Sequence, residues 1–421
     1  MVSGNLKTQM LALNGAIFVS MLGFGIITPI LPLYAKDLGA SSLVLGLIFG
    51  AFSFSRALLV PWVGIFSDRY GRKRFLLAAL LGFAIMSMLM IFAASPLDLG
   101  LNRLTQGVFS AMLLPVAMAM VADLAPVGFE GRAFSGFNTS FLLGLGLGPF
   151  LGGIIYDLFG VSANFLFMSG VSLFSFLMVL IKVGSPPPAV QVKKKESIFR
   201  DLRLIKDRSM QGLFINRIAT NLGTGFYIAF LPVLALGQGL STSQIGVLFG
   251  VNTLVMTIIQ KPASRLADTR YRLQVGVWGS VMGGLCKVAL AWAGDFTTFL
   301  IIVSLEGIAA GLIMPATNAL GITAGHRMHA GMGAVMGFFT LALSLGYLLG
   351  PIGGGLVVDL TDLPICFCIV GSVVALGSLA PFVLRTKDDS GLPEPHFDPT
   401  SVLASGEKAP EHPEDNPISN N

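Results

Sequence analysis

Glu306 is the only carboxylate well inside an apolar stretch of this 421-residue chain. A carboxylate in dry surroundings keeps its proton, and gives it up beside a cation or water. That is the chemistry of loading and releasing a proton. Arg103 stands in a second apolar stretch, three residues before Gln106. A guanidinium there must turn from hydrocarbon toward water or a polar partner. Arg56 lies 12 positions before Asp68 (68 − 56 = 12), about 18 Å along a helix and so near the middle of its stretch. It either lines a cavity or pairs with a polar neighbour. Arg217 and Lys287 stand closer to the ends of theirs and are expected to reach toward the polar boundary.

These charges sit in a chain that is 54% hydrophobic and 12% charged, with mean hydropathy +0.79. Soluble domains carry about twice that charged fraction. The four histidines have no metal-ligand spacing; His326 and His329 fall in a basic loop with no acid–base partner. Cys286, Cys366 and Cys368 lie in or beside apolar segments and suit small apolar filler rather than disulfides or zinc. No G-x-S-x-G, phosphate loop or dinucleotide fingerprint is present. The residues therefore point away from an enzyme, and no metal or cofactor is expected. Net charge +5 and pI near 9.2 could suit nucleic acid, but the distribution of the basic residues excludes that reading.

Apolar runs of about 20 residues match a hydrocarbon core of about 30 Å. Twelve are expected, over about 10–33, 43–66, 75–94, 99–122, 134–156, 163–182, 211–236, 243–263, 273–293, 297–320, 334–358 and 364–384. Arg69, Arg72, Lys73 and Arg74 follow span 2, Lys193 to Arg208 follow span 6, and Arg265, Arg270 and Arg272 follow span 8. An even number of spans puts both termini on that same side. The opposite side has Lys36 with Asp37, Asp98, Asp157, Asp295 and Asp359. The basic side is expected to be cytoplasmic. No cleavage site follows the first run, which is read as a retained helix.

The chain also repeats itself. Leu31-Pro32, Asp68, Gly107 and Pro115 return as Leu231-Pro232, Asp268, Gly307 and Pro315, an offset of 200 (268 − 68 = 200). Gly148-Pro149 and Asp157 return as Gly350-Pro351 and Asp359, an offset of 202. Two homologous halves in an apolar chain imply a transporter built around a pseudo-two-fold axis. The expected fold is an all-α membrane protein of two six-helix bundles around a central cavity. Residues 1–183 form the first bundle and 210–385 the second. A cytoplasmic linker over 184–209 begins with Pro186-Pro187-Pro188 and continues as an amphipathic helix with Ile198, Phe199, Leu202 and Ile205 on one face. The polar, acidic tail 386–421 is expected to be disordered.

After span 2 the sequence reads Gly64-Ile-Phe-Ser-Asp68-Arg69-Tyr70-Gly71-Arg72-Lys73-Arg74. This resembles the signature loop of the major facilitator superfamily, G-x-x-x-D-R-x-G-R-[KR]-[KR]. Gly71 permits a tight turn, and Asp68 can pair with Arg72 and face a helix N-terminus. The cluster can latch one face of the protein and break as the halves rock; the alternative is that its cations only set topology. The second copy keeps Arg265, Asp268, Arg270 and Arg272 but has Pro262 and no loop glycine, so a weaker latch is expected.

Two further elements resemble the family. Arg103 to Gly107 is similar to its R-x-x-x-G element in span 4. Gly144, Gly148, Pro149, Gly152 and Gly153 in span 5 are similar to the element G-x-x-x-G-P-x-x-G-G of drug/proton antiporters, with a near copy at Gly346, Gly350 and Pro351. The glycines allow close helix packing and Pro149 bends the helix. The resemblance implies that spans 1, 4, 7 and 10 surround the cavity, with Arg103 and Glu306 facing it at similar depth. Glu306 would carry a coupling proton and Arg103 would tune it; the alternative is a static ion pair. Met21, Phe24, Asn221, Phe226 and Tyr227 are candidate cavity residues, joined by Arg56, Gln106, Met112 and Met314. The expected function is proton-coupled efflux of lipophilic compounds, by a functional monomer in the cell (inner) membrane. A metabolite symporter or uniporter, or a transporter-like receptor, is the alternative.

Overall fold

A computed structural model of the chain describes residues 4–125, 130–184, 203–328 and 332–384. The proline run and most of the expected amphipathic segment of the linker, the tail 386–421 and His329 lie outside the described residues, as does the side chain of His326. Among the described residues there is helix and no strand. The helices are α1 (Gly4–Asp37), α2 (Ser42–Tyr70), α3 (Arg72–Met90), α4 (Pro96–Leu124), α5 (Glu130–Phe159) and α6 (Val161–Lys182). After the short α7 (Arg203–Lys206) come α8 (Arg208–Gly237), α9 (Thr242–Ala267), α10 (Arg272–Leu290), α11 (Phe296–Arg327), α12 (Met332–Leu360), α13 (Leu363–Gly377) and α14 (Ala380–Val383). Twelve of the helical stretches are long and apolar enough to cross a membrane, and all twelve expected spans are among them.

Several helices outrun their apolar runs because polar residues close their ends. The Ser41 hydroxyl accepts from the Val44 amide, Ser95 and Asp98 form a reciprocal box, and Ser241 and Gln244 form another. Such caps satisfy amides that the helix leaves open. Pro32, Pro115 and Pro149 sit inside helices, and so do their repeats Pro232, Pro315 and Pro351. Bends therefore fall at matching places in the two sets of helices.

The helix contacts repeat as the sequence does. In the first set α1 packs on α5 and α6, α2 on α4, and α3 on α4 and α6. In the second set α8 packs on α12 and α13, α9 on α11, and α10 on α11 and α13. Glycine sets the closest of these contacts. A Cβ on Gly148 would stand 2.5 Å from the Leu22 carbonyl oxygen, and one on Gly152 2.7 Å from that of Ile26. Gly144 meets the Phe18 carbonyl and Gly350 the Leu222 carbonyl in the same way.

The two sets meet through α2 against α12 and α5 against α9. Gly46 abuts the Pro351 carbonyl, and the equivalent Gly246 abuts the Pro149 carbonyl. Gly153 lies on the Thr242 carbonyl and Gly355 on that of Ser42. Two carboxylates span the same seam: Asp359 accepts from the Ser42 and Leu43 amides, each at 2.9 Å, and Asp157 accepts from the Ser243 amide at 2.8 Å. All of these contacts lie at the end of the molecule opposite the basic loops. Toward the basic loops α5 and α9 part around a cavity of about 680 Å³, lined by Ser135, Asn138, Leu142, Gly146, Thr253, Thr257 and Lys261 among others.

Gly148→Ala is expected to lower the melting temperature of the purified protein, because overpacking a tight contact costs about 1–3 kcal/mol. Gly353→Ala, whose added Cβ would have nothing within 4 Å, is expected to leave it unchanged. Thermal unfolding of the two variants in one detergent checks this contrast.

Candidate functional site

Glu306 is 6% exposed and has two partners. Lys287 on α10 donates to its Oε1 at 3.0 Å, and Asn252 on α9 donates to its Oε2 at 2.5 Å. Lys287 also donates to the Gly283 carbonyl at 3.3 Å, and its Nζ lies 5.8 Å from the centre of the Tyr227 ring. Tyr227 is buried with its hydroxyl unpartnered and stacks edge-on against Phe249. The expectation that Lys287 reaches outward is corrected: it is 2% exposed and turned into the bundle. The reason is electrostatic. α10 and α11 are neighbours joined by a short turn, which brings the Glu306 carboxylate within 3.0 Å of the ammonium inside the bundle. Linear sequence carried one signal for this, a buried cation and a buried anion on consecutive spans.

Arg103 is buried too, but the structure does not bring it to Glu306. Its Nη1 donates to Gln106 Oε1 at 2.9 Å, and its guanidinium lies 4.1 Å from the centre of the Phe52 ring and 5.8 Å from that of Phe49. Arg103 Nε and Gln106 Nε2 have no partner. Arg103 and Glu306 thus lie in separate sets of helices, each held by its own neighbours, and it is Gln106, the partner of Arg103, that is the repeat equivalent of Glu306. Arg217 is also corrected. It does not reach for the boundary; it is buried, donates to Asn318 Oδ1 and lies 4.5 Å from the centre of the Phe339 ring. The Asn221 amide donates to its carbonyl at 2.7 Å.

Arg56 faces inward. Leu47 and Ile65 on the same helix are 48% and 49% exposed. Each is nine residues away (56 − 47 = 65 − 56 = 9), about two and a half turns, which puts Arg56 on the opposite side of α2. Across the seam stands Tyr347 of α12, which is within electrostatic reach of both Arg56 and Glu306.

The remaining candidates divide. Met314 is 54% exposed yet lies nine residues from the outward-facing Leu305 (314 − 305 = 9), on the far side of α11. Phe24 packs on Phe52 with ring centres 5.9 Å apart. Met21 lies against Gly144 on α5, and Met112 packs on the apolar core. Phe226 is core rather than cavity wall: it is fully buried among Phe230, Phe367 and Gly354.

The sequence profile of the Major Facilitator Superfamily matches residues 13–336 and 213–411. The chain belongs to this superfamily. It is a multi-pass membrane transporter of small molecules and not an enzyme. It is 27% identical over 364 residues to an uncharacterized MFS-type transporter of Methanocaldococcus jannaschii, covering 85% of this chain and 93% of that one. It is 25% identical over 399 residues to Multidrug resistance protein 2 of Bacillus subtilis (88% and 94% covered). It is 24% identical over 366 residues to Quinolone resistance protein NorA of Staphylococcus aureus (84% and 91% covered). Among solved structures, a bacterial homolog of the human lysosomal transporter Spinster shares the fold with TM-score 0.76 at 14% identity, over 91% of this chain and 98% of that one. The nucleoside transporter NupG does so with TM-score 0.76 at 16% identity, over 89% and 98%.

In this superfamily member the signature loop forms a charge cluster. Gly71 takes φ +98°, a conformation that L side chains rarely adopt. Arg72 pairs with Asp68 at 3.1 Å and with Asp123 of α4 at 2.6 Å, and donates to the Ala119 carbonyl at 2.6 Å. Lys73 donates to the Leu180 carbonyl at 3.0 Å, Arg69 lies over the Tyr70 ring, and Arg74 is exposed. In the second copy Arg272 donates to Thr323 at 2.9 Å. Thr323 stands where the repeat has Asp123 (323 − 123 = 200), and Asp268 has no ion pair among the described residues.

Lys287→Met should destabilise the protein by about 3–5 kcal/mol by stranding the Glu306 carboxylate. Lys287→Met with Glu306→Gln should recover much of that loss. A double-mutant cycle on thermal unfolding measures the coupling; additive effects would mean the pair does not act as a unit.

Proposed function

We propose that this transporter exports small lipophilic compounds in exchange for protons, with Glu306 as the proton carrier. One observation carries the reading: the single carboxylate deep in the spans is bound to both a lysine and an amide, inside the second set of helices. In this arrangement Glu306 accepts from both Lys287 and Asn252. Protonation would break the ion pair, leave Lys287 with only the Gly283 carbonyl and weaken the contact between α9, α10 and α11. A proton gradient can then bias which packing the second set adopts. Lys287, rather than Arg103, is the counter-ion that governs this step. A static ion pair would leave the proton no part in the cycle.

The rest follows from alternating access. Residues 1–183 and 210–385 move as two bodies about the seam of α2 with α12 and α5 with α9. The basic face is cytoplasmic by its excess of Lys and Arg, so the conformation described is closed to the outside, and both termini lie on the cytoplasmic side of the cell membrane. The Asp68–Arg72–Asp123 cluster latches the cytoplasmic ends of α2, α3 and α4. Glycine packing through Gly144, Gly148 and Gly152 keeps water from leaking beside α1. One chain contains the whole path, so a monomer suffices. The names of the Bacillus and Staphylococcus relatives, a multidrug and a quinolone resistance protein, support efflux as the direction.

Glu306→Gln is expected to abolish efflux driven by a pH gradient in proteoliposomes while substrate counterflow without a gradient survives. Unchanged proton-driven transport in that variant would reject the carrier role. Substrate-driven proton movement in the same direction as the substrate would reject exchange.

A further inference from the structure

Among the described residues Arg103, Arg217 and Lys287 are the buried cations of the spans and Glu306 the buried carboxylate, and Arg56 is half-buried. Lys287 takes that carboxylate. Arg103 has the Gln106 carbonyl and the faces of Phe49 and Phe52, and Arg217 has the Asn318 carbonyl and the face of Phe339. Arg56 has none of these: among the described residues it has no ion pair, no hydrogen bond and no aromatic face. A guanidinium on the inward face of a span with no counter-ion can take an anion. Its planar fork suits the two oxygens of a carboxylate, sulfonate or phosphate better than a point charge would.

The surroundings say what else the anion carries. Tyr347 of α12 is within electrostatic reach of Arg56, and a phenol hydroxyl can donate to the same oxygen group. Phe52 lies one turn before Arg56 on α2 and packs on the partly exposed Phe24 of α1, so aromatic surface stands on the same face as the guanidinium. Glu306, the other charge felt by Tyr347, is neutralised by Lys287, so the positive charge of Arg56 is unopposed.

We infer that Arg56 and Tyr347 form a seat for the acidic group of an amphiphilic organic anion, and that lipophilic anions rather than lipophilic cations are the substrates. This rests on the transport function proposed above and adds its substrate class. Because α2 and α12 belong to different sets of helices, an anion bridging Arg56 and Tyr347 would tie the two together at mid-membrane and couple its own binding to their motion.

The test uses the full-length protein and two probes of similar bulk, tritiated estrone sulfate and tritiated tetraphenylphosphonium. Binding is measured by scintillation proximity on purified protein, and flux in proteoliposomes. The wild type is expected to bind and move estrone sulfate in preference to the cation. Arg56→Gln should raise the Kd for estrone sulfate about tenfold or more, with Arg56→Lys recovering part of the loss and Tyr347→Phe causing a smaller one. Arg56→Glu should turn the preference toward tetraphenylphosphonium. Monodispersity and melting temperature confirm that each variant is folded. Estrone sulfate binding that depends on Arg56 without flux would support the seat and reject transport. Flux of tetraphenylphosphonium alone, or estrone sulfate binding unchanged within twofold in Arg56→Gln, would overturn the seat and leave the transporter reading standing.

Discussion

Asp157 and Asp359 hold the two sets of helices together by reaching across the seam to the first amides of α9 and α2. A carboxylate at a helix N-terminus gains both from direct hydrogen bonds and from the partial positive charge of the helix end. The two residues are equivalents under the repeat, so the seam is clamped twice in the same manner. Beneath the clamps the backbones of Gly46 and Gly246 press on the Pro351 and Pro149 carbonyls. Side chains larger than hydrogen would wedge this end open. Closure here fixes where the interior can be entered, and the cavity between α5 and α9 is lined by residues nearer the other end.

The two sets are alike in backbone and different in charge. Gln106 and Glu306 are equivalents (306 − 106 = 200), as are Phe52 and Asn252 (252 − 52 = 200). In the first set a guanidinium is paired with a neutral amide and aromatic faces. In the second an ammonium, a carboxylate and an amide form a closed group. At the basic loops the asymmetry reverses, with Asp123 in the first set where the second has Thr323. One copy thus carries the stronger loop cluster and the other the titratable group. A duplicated fold that keeps its packing while dividing its charges can respond to a proton on one side of the axis and lock on the other.

What was legible in the sequence was what periodicity and repetition encode. Runs of apolar residues placed twelve spans, and Gly148-Pro149 returning as Gly350-Pro351 placed two close helix contacts. The loop at Gly71 could be read because positive φ favours glycine at that turn. Pairings between spans were not legible. Lys287 sits three residues before the end of α10, where a long cation ordinarily reaches for the boundary, and only the three-dimensional position of Glu306 turns it inward. Arg217 is turned inward in the same way, by a partner, Asn318, that stands 101 residues away in the chain. Phe226 is apolar and central in its span whether it packs or lines a cavity, so composition could not assign it to the core.

Motion about the clamped seam is the central claim, and pulsed electron resonance distances test it most directly. In a chain with Cys286, Cys366 and Cys368 replaced, spin labels at Leu158 and Gln238 report the clamped end, and labels at Tyr70 and Tyr271 the basic end. Asp157→Asn with Asp359→Asn should lengthen the first distance and shorten the second in the same molecules. Two distances that stay fixed with and without the clamps, in lipid and across pH, would contradict it.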